Sequence, residues 1–170
     1  MPLADYLATV DMVMVAEKVL IGADAPLTWQ PTRDLEGLRV KLPLEIAGEQ
    51  HGIFLNVQAY NNDPSLRFHI SVVVEQAVCR LDFELYEAHA NSMALAFDDI
   101  PALVKGPHFH PWEMNRRFVT SQTKPFRLRN AEPFTESRQF DSSLRWFCGR
   151  TRITLPPGHT IQFPGKTRLI

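Results

Sequence analysis

The chain has 170 residues, of which 45% are hydrophobic and 22% are charged. These proportions are typical of a soluble globular protein and exclude a largely disordered chain, a collagen-like repeat and a bundle of membrane-spanning helices. The 18 basic and 19 acidic residues give a formal net charge of −1, so the overall charge does not indicate a nucleic-acid coat or a membrane-surface protein. We expect a single domain over residues 1–170, with residues 155–170 as a C-terminal tail.

The N-terminal segment predicts a helix over residues 3–21, because apolar side chains recur there at helical spacing. Apolar residues also lie on its remaining faces, so we expect burial on more than one side, against a sheet and against a second subunit. Charged residues interrupt the segment, which therefore lacks the roughly 20 apolar residues of a membrane span and the features of a signal peptide. Cys79 and Cys148 lie far apart without a CxxC motif. We expect a cytoplasmic protein in which these thiols are reduced and buried.

The central part of the chain alternates between apolar and polar residues, as half-buried strands do. The predicted strands cover residues 39–46, 53–60, 68–75, 79–85, 93–97 and 108–112. Pro43 cannot donate a hydrogen bond to a neighbouring strand, so it predicts a sheet edge or a bulge. Gly48–Gly52 predicts the first turn, and the short connections favour an antiparallel meander over βαβ units.

Asp141 is a good helix N-cap, and an apolar stripe at Leu144, Phe147 and Cys148 predicts a C-terminal helix. The expected fold class is therefore α+β. We expect an antiparallel sheet of five to six strands, packed by the N-terminal and C-terminal helices.

The segment Gly106–Arg117 concentrates side chains that commonly act on ligands. In an extended conformation His108, His110 and Trp112 share one face, and the proline after His110 favours that conformation. His89 lies at a predicted turn, and the meander can bring it beside the His108 strand. A His-x-His pair is a weak motif by itself, so an unreactive polar sheet face is equally consistent with it.

Two kinds of chemistry fit this segment. In the first, His108 and His110 form an acid–base pair near neutral pH, and Arg116 or Arg117 binds a phosphate. Metal-free cleavage of an RNA phosphodiester needs little more, and this interpretation requires no cofactor.

In the second, His108 and His110 ligate a transition metal such as zinc. The candidates that would complete the metal site are His89, Glu113, Asp98 and Asp99. A third interpretation is non-catalytic: the apolar first helix and Trp112 would form the interface of a homodimer or bind a partner protein.

Three motifs occur in order along the chain, and they are His89-x-Asn91, Gly106-Pro107-His108-x-His110 and Leu144-Arg145-Trp146-Phe147-Cys148. This layout resembles a family of small prokaryotic proteins with a domain of unknown function, which is distantly similar to TumE-like toxins of toxin–antitoxin pairs. The resemblance covers roughly residues 5–153 in the order of elements.

The resemblance implies a toxin-like or defence-associated protein that acts on RNA and has an antitoxin-like partner. The expected catalytic residues are His108, His110 and His89, and the expected substrate-binding residues are Arg116, Asn91 and Trp112.

Overall fold

The structure, a computed structural model, describes residues 2–22, 27–33, 37–60, 67–92, 100–120, 126–137, 139–158 and 161. The helices in these ranges are α1 (Leu3–Val15), α2 (Trp112–Asn115) and α3 (Phe140–Arg150), and a 3-10 turn (Arg116–Phe118) continues α2. The strands are β1 (Lys18–Leu20), β2 (Gln30–Pro31), β3 (Gly37–Ile46), β4 (Glu49–Tyr60), β5 (Arg67–Val74), β6 (Gln76–Glu84), β7 (Ala88–Ala90), β8 (Leu103–Lys105), β9 (His108–His110), β10 (Glu132–Pro133) and β11 (Ile153–Thr154).

Nine of the described strands form one sheet in the order β10-β9-β6-β5-β4-β3-β1-β11, with β2 paired to β3. Strands β7 and β8 form a separate antiparallel ribbon. All pairs in the large sheet are antiparallel except β1 with β11. The predicted α+β class and antiparallel sheet are confirmed, but five to six strands is too few. The additional strands β1, β2, β10 and β11 are two or three residues long, too short for a detectable alternation.

The four long strands β3 to β6 form the predicted meander, and one face of it is the hydrophobic core. One row across this face consists of the buried residues Val57, Ile70, Leu81 and Phe109. Helices α1 and α3 cover the same face. The ring centroids of Phe147 on α3 and Phe109 lie 5.9 Å apart, and the hydroxyl of Tyr6 on α1 donates to the carbonyl of Val74 at 3.0 Å.

The connection between β3 and β4 is tighter than the predicted turn over Gly48–Gly52. Ala47 and Gly48 alone join the strands, and both have positive φ angles, 53° and 81°. Two-residue hairpin turns with positive φ at both positions match the twist of the flanking strands. The remaining predicted turn residues therefore belong to β4. Pro43 does not mark a sheet edge, but a register shift between Leu44 and Glu45 supplies a bulge beside it.

The N-terminal helix ends at Val15 because the chain then enters β1, so the predicted end at residue 21 is wrong. Tyr6, Val10 and Val13 are fully buried against the sheet. Met12 and Val15 are 42% and 65% exposed, so this side of α1 faces solvent. No helix in the described part of the chain is long and apolar enough to cross a membrane.

Helix α3 buries the predicted stripe of Leu144, Phe147 and Cys148, although the N-cap is Gln139 rather than Asp141. Cys79 and Cys148 are free and buried, as expected. Burial raises the pKa of both thiols to about 12, which makes them unreactive core residues.

A buried lysine closes the C-terminal end of α1. The ammonium of Lys18 donates to the carbonyl oxygens of Val13 and Ala16, both at 2.7 Å, and thereby satisfies two acceptors at the end of the helix. Burial lowers the pKa of Lys18 from 10.5 to about 8. Between these values the unfolded chain binds the proton and the folded protein does not, so this group makes the free energy of unfolding rise with pH.

We therefore expect the stability difference between the wild type and Lys18→Met to grow in favour of the wild type between pH 8 and pH 10.5. Urea unfolding at several pH values measures the free energy of unfolding of both proteins. The buried cysteines are present in both, so their pH-dependent contributions cancel in the difference. Lys41→Met, which removes an exposed lysine of β3, is the control and should show no such trend. A constant difference between wild type and Lys18→Met over this range would contradict the prediction.

Candidate functional site

The sheet face opposite α1 and α3 carries two rows of polar side chains. Residues that pair directly across neighbouring strands point to the same face. The first row is Gln58, His69, Asp82 and His108, and the second is Asn56, Ser71, Arg80 and His110. His108 and His110 therefore point away from the core, while Phe109 between them points into it.

A third histidine reaches the same place from the β7–β8 ribbon. The ring centroid of His89 lies 5.2 Å from that of His108 and 4.6 Å from that of His110, and the latter two are 5.0 Å apart. One ring nitrogen of each histidine lies within 4.8 Å of the others. The structure thus brings together the three histidines that the sequence singled out.

Each of these imidazoles uses one ring nitrogen to bind a main-chain carbonyl. The three bonds run from Nδ1 of His108 to Gly106 (2.8 Å), from Nδ1 of His110 to Asn130 (2.9 Å) and from Nε2 of His89 to Arg129 (2.9 Å). A carbonyl oxygen only accepts, so the bonded nitrogen carries the hydrogen and the other nitrogen of a neutral ring presents a lone pair. Gly106 has a φ of +75°, a turn conformation that suits glycine and precedes the strand that carries His108.

A carboxylate lies beside two of these rings. Nε2 of His110 makes a hydrogen bond to Oδ2 of Asp82 at 3.2 Å, and Nε2 of His108 lies 3.6 Å from the same oxygen. Both nitrogens of His110 therefore face acceptors, the Asn130 carbonyl and the Asp82 carboxylate. Arg80 holds the same carboxylate through two nitrogens, at 2.5 and 2.6 Å. Burial opposes ionisation of Asp82, but its contacts with His110, His69 and Arg80 outweigh burial and hold its pKa well below the ordinary value. Asp82 is therefore ionised.

Burial favours the neutral form of the neighbouring imidazoles. Removal from water lowers the pKa of His110 despite its contact with Asp82, and lowers that of His89 despite its bond to the Arg129 carbonyl. Neutral imidazole is the form that ligates metals. A hydrogen-bonded proton lies between Nε2 of His110 and Asp82, and a metal cation that displaced it would find a ring nitrogen and a carboxylate oxygen at close range.

Asn115 fixes the main-chain segment that accepts two of the histidine bonds. Its amide donates to the carbonyls of Pro111 (2.8 Å) and Asn130 (2.9 Å). Its oxygen accepts from the backbone N–H groups of Arg129 (2.6 Å) and Asn130 (2.9 Å). Because the side chain is fully buried, these bonds have no competition from water and hold this segment firmly against α2.

Asn91 and Asn130 extend this scaffold to the ribbon. Asn91 accepts from the backbone N–H of Ala131 (2.7 Å) and donates to the carbonyls of Ala131 and Pro101, both at 2.8 Å. Asn130 accepts from the backbone N–H of Ser92 at 3.0 Å. The amide of Asn91, which was expected to contact a substrate, is thus committed to the main chain beside His89.

The other predicted site residues lie near α1 and α3. Because β9 ends at His110, the chain turns into α2 and Trp112 does not continue the strand as predicted. The indole nitrogen of Trp112 donates to Asp11 at 2.8 Å, and Arg116 donates to both oxygens of the same carboxylate. Trp112 and Arg116 therefore contact α1 instead of the histidines.

Glu113, the alternative metal ligand, accepts from Arg150 of α3 at 3.2 Å and is not part of the histidine group. Asp98, Asp99 and the predicted strand at 93–97 lie outside the described residues.

Asp82 and Asn115 were not identified from the sequence. Asp82 alternates with apolar residues in β6 in the same way as any solvated residue of a half-buried strand. The signal that identifies it is the pairing of Asp82 with His108, which depends on a contact between distant parts of the chain. Asn115 lies in a short helix whose sequence gives no indication of its four bonds.

We expect Asn115→Ala to lower the free energy of unfolding by about 2–3 kcal/mol, because it leaves buried main-chain groups without partners. Chemical denaturation measures this loss. Asn56→Ala removes the same amide from the polar sheet face, where it makes a long bond of 3.5 Å to Ser71, and should cost less than about 1 kcal/mol. Equal losses in the two variants would show that Asn115 is not a structural clamp.

Comparison with known proteins found no match to a protein-family description, a curated protein or a solved structure. The resemblance to TumE-like toxins stays a prediction, and the function has to be inferred from the site itself.

Proposed function

We propose that the protein binds a transition metal, zinc first among them, through His89, His108 and His110, with Asp82 as a fourth donor. The observation that carries this proposal is the clustering of three imidazoles, one ring nitrogen of each lying within 4.8 Å of the others. Each ring donates one N–H to a carbonyl, and Asp82 lies beside His108 and His110. Binding of a cation would release the proton that His110 shares with Asp82. Imidazole nitrogens and carboxylate oxygens are ordinary zinc ligands.

The spacing of the donors suits a tetrahedral ion. With metal–ligand distances of about 2.0–2.1 Å, the ligand atoms of a tetrahedral site lie about 3.4 Å apart. The two distances from Asp82, 3.2 Å to His110 and 3.6 Å to His108, are close to this value. One nitrogen of each histidine lies within 4.8 Å of the others, so binding would draw any pair together by about 1.4 Å at most.

The surroundings of the donors support the same role. Histidines that ligate metals commonly donate their second N–H to a main-chain carbonyl, which fixes the tautomer and the ring orientation. All three imidazoles make such a bond, and Arg80 orients the carboxylate of Asp82. Four protein donors make a closed site, which is typical of a metal that stabilises a structure.

Metal binding fits the site better than RNA cleavage by an acid–base pair. His110 is fully buried and His108 is 3% exposed, so a phosphodiester would have to enter the protein interior to reach them. Arg116, the predicted phosphate ligand, is bound to Asp11 near α1 instead of lying beside the histidines. A toxin-like action on RNA and an antitoxin-like partner are therefore the weaker candidates.

The homodimer predicted through the first helix has one supporting observation. Met12 and Val15 of α1 present apolar side chains to solvent. Val19 is also 47% exposed, but it alternates with the buried Lys18 and Leu20 in β1 and faces away from the core. A dimer through the first helix would therefore use α1 without Val19.

We expect the tag-free protein to contain about one zinc ion per chain, and the His108→Ala/His110→Ala variant to contain almost none. Elemental analysis after dialysis against metal-free buffer measures both. His51→Ala, which removes an exposed histidine of the β4 hairpin, is the matched control and should retain the wild-type content.

Metal removal should also lower the melting temperature of the wild type, because the binding free energy contributes to folding. A chelator should have no such effect on the double variant. Equal metal contents in the wild type and the double variant would refute this site.

We expect Asp82→Asn to weaken zinc binding by about 10–100-fold while leaving one site per chain, because the three imidazoles remain. Competition titration with a chromophoric chelator measures the affinity. Glu84→Gln is the matched control, since it removes the next carboxylate of β6, which contacts Arg67 and His69 but not the histidine group. An unchanged affinity in Asp82→Asn would exclude this carboxylate as a ligand.

A further inference from the structure

A cavity of about 580 Å³ lies on the opposite side of β9 from the histidines, next to α1, α2 and α3. Its volume falls in the range of pockets that hold small organic molecules. Its lining consists of Asp11, Met14, Val15, Phe109, Trp112, Glu113, Arg116, Arg150 and Arg152. Three of these lining residues, Trp112, Glu113 and Arg116, are predicted site residues that the proposed metal centre does not use.

The inner wall of the cavity is apolar and aromatic. Phe109 and Trp112 are 2% and 3% exposed and are held from behind, Phe109 by the edge-on ring of Trp146 at 5.2 Å. The indole nitrogen of Trp112 is bonded to Asp11, so the ring has a fixed orientation. Because the two rings are almost fully covered, and the guanidinium of Arg150 lies over the Phe109 ring at 5.8 Å, the rings form a buried floor. The apolar surface that a ligand can touch comes from Met14 and Val15 of α1. An apolar group can therefore pack against this aliphatic surface.

The rim of the cavity is formed by charged side chains, with three guanidinium groups and two carboxylates. Arg116 is committed to Asp11, which it contacts through several bonds of 2.7–2.9 Å. Arg150 and Arg152 make fewer contacts. Arg150 reaches Glu113 through one bond of 3.2 Å. Arg152 donates to the main-chain carbonyl of Val15 at 3.1 Å and lies 3.7 Å from Glu17, which is outside the lining.

These contacts use only some of the N–H groups of Arg150 and Arg152, so donors remain for a ligand. A guanidinium group has five N–H donors, and exposed ion pairs of this kind contribute little to stability. The partners Glu113 and Glu17 are 63% and 73% exposed at their side chains, so an anion in the cavity can compete with them. The lining itself has one positive charge in excess, which matches a monoanion better than a phosphate dianion.

We propose that this cavity binds a small organic monocarboxylate with an apolar body. The apolar body lies against Met14 and Val15, above the buried rings of Phe109 and Trp112, and the carboxylate accepts hydrogen bonds from Arg150 and Arg152. The ion pair between Arg116 and Asp11 forms one side of the site, and Asp11 also orients the ring of Trp112. This proposal is independent of the metal centre, because none of these residues belongs to the histidine group.

Titration of the isotope-labelled protein with naphthalene-1-acetate tests the proposal, with the neutral naphthalene-1-acetamide as the matched ligand. The N–H signal of the Trp112 indole reports on the cavity directly. We expect saturable shifts at this signal with a dissociation constant of about 1 mM or below, which is ordinary for a ligand of this size. The amide should bind about tenfold more weakly, since it lacks the charge-assisted hydrogen bonds.

The variant Arg150→Gln/Arg152→Gln should weaken binding of the acid by at least about tenfold and leave binding of the amide unchanged. Arg145→Gln removes a charge from the same helix α3 outside the cavity, and should bind the acid as the wild type does. Spectra and melting curves of the free proteins establish that the variants are folded. Equal binding of acid and amide, equal loss in Arg145→Gln, or no saturable shift at Trp112 up to about 10 mM acid would each overturn the proposal.

Discussion

The geometry of the candidate site depends on three hydrogen bonds from imidazole rings to main-chain carbonyls. A carbonyl oxygen accepts and never donates, so each bond settles which ring nitrogen of His89, His108 or His110 carries the hydrogen. One nitrogen of each ring lies within 4.8 Å of the others, and ionised Asp82 lies beside His108 and His110. Without the bonds to carbonyls the rings could rotate, and no fixed nitrogen would be presented to a cation. With them, each ring has a fixed orientation, which the proposed metal site requires.

This arrangement needs several distant parts of the chain to be held at fixed distances. The sheet supplies Asp82 and His108 through strand pairing, while the ribbon supplies His89. Asparagine side chains join these parts where no regular ladder exists, because an amide group both donates to and accepts from the main chain. Asn115 in particular bonds the segment whose carbonyls orient His89 and His110. The site is therefore held together by hydrogen bonds of loops as much as by the hydrophobic core.

Local sequence patterns predicted the parts of this structure that depend on neighbours in sequence. The meander strands followed from alternation because one face of β3 to β6 is buried, and α3 followed from its apolar stripe. The full number of strands could not be predicted in this way, because strands of two or three residues are too short to show an alternation. Asp82 was missed for a different reason. It lies beside the histidines because β6 pairs with β9, and no pattern within β6 indicates which strand pairs with it. Trp112 was misplaced because the strand ends at His110 and Pro111, although extended, is the N-cap of α2, so that the helix begins at Trp112.

Strand β9 has three residues, and their alternation serves both sides of the sheet at once. A shift of its register by one residue would turn two imidazoles into the apolar core and place the ring of Phe109 among the polar rows. The proposed metal ligands and the buried aromatic floor of the cavity would then be lost together. An insertion or deletion within 106–110 therefore cannot alter one site and preserve the other. Both faces of β9 depend on the same strand register, although their proposed ligands are unrelated.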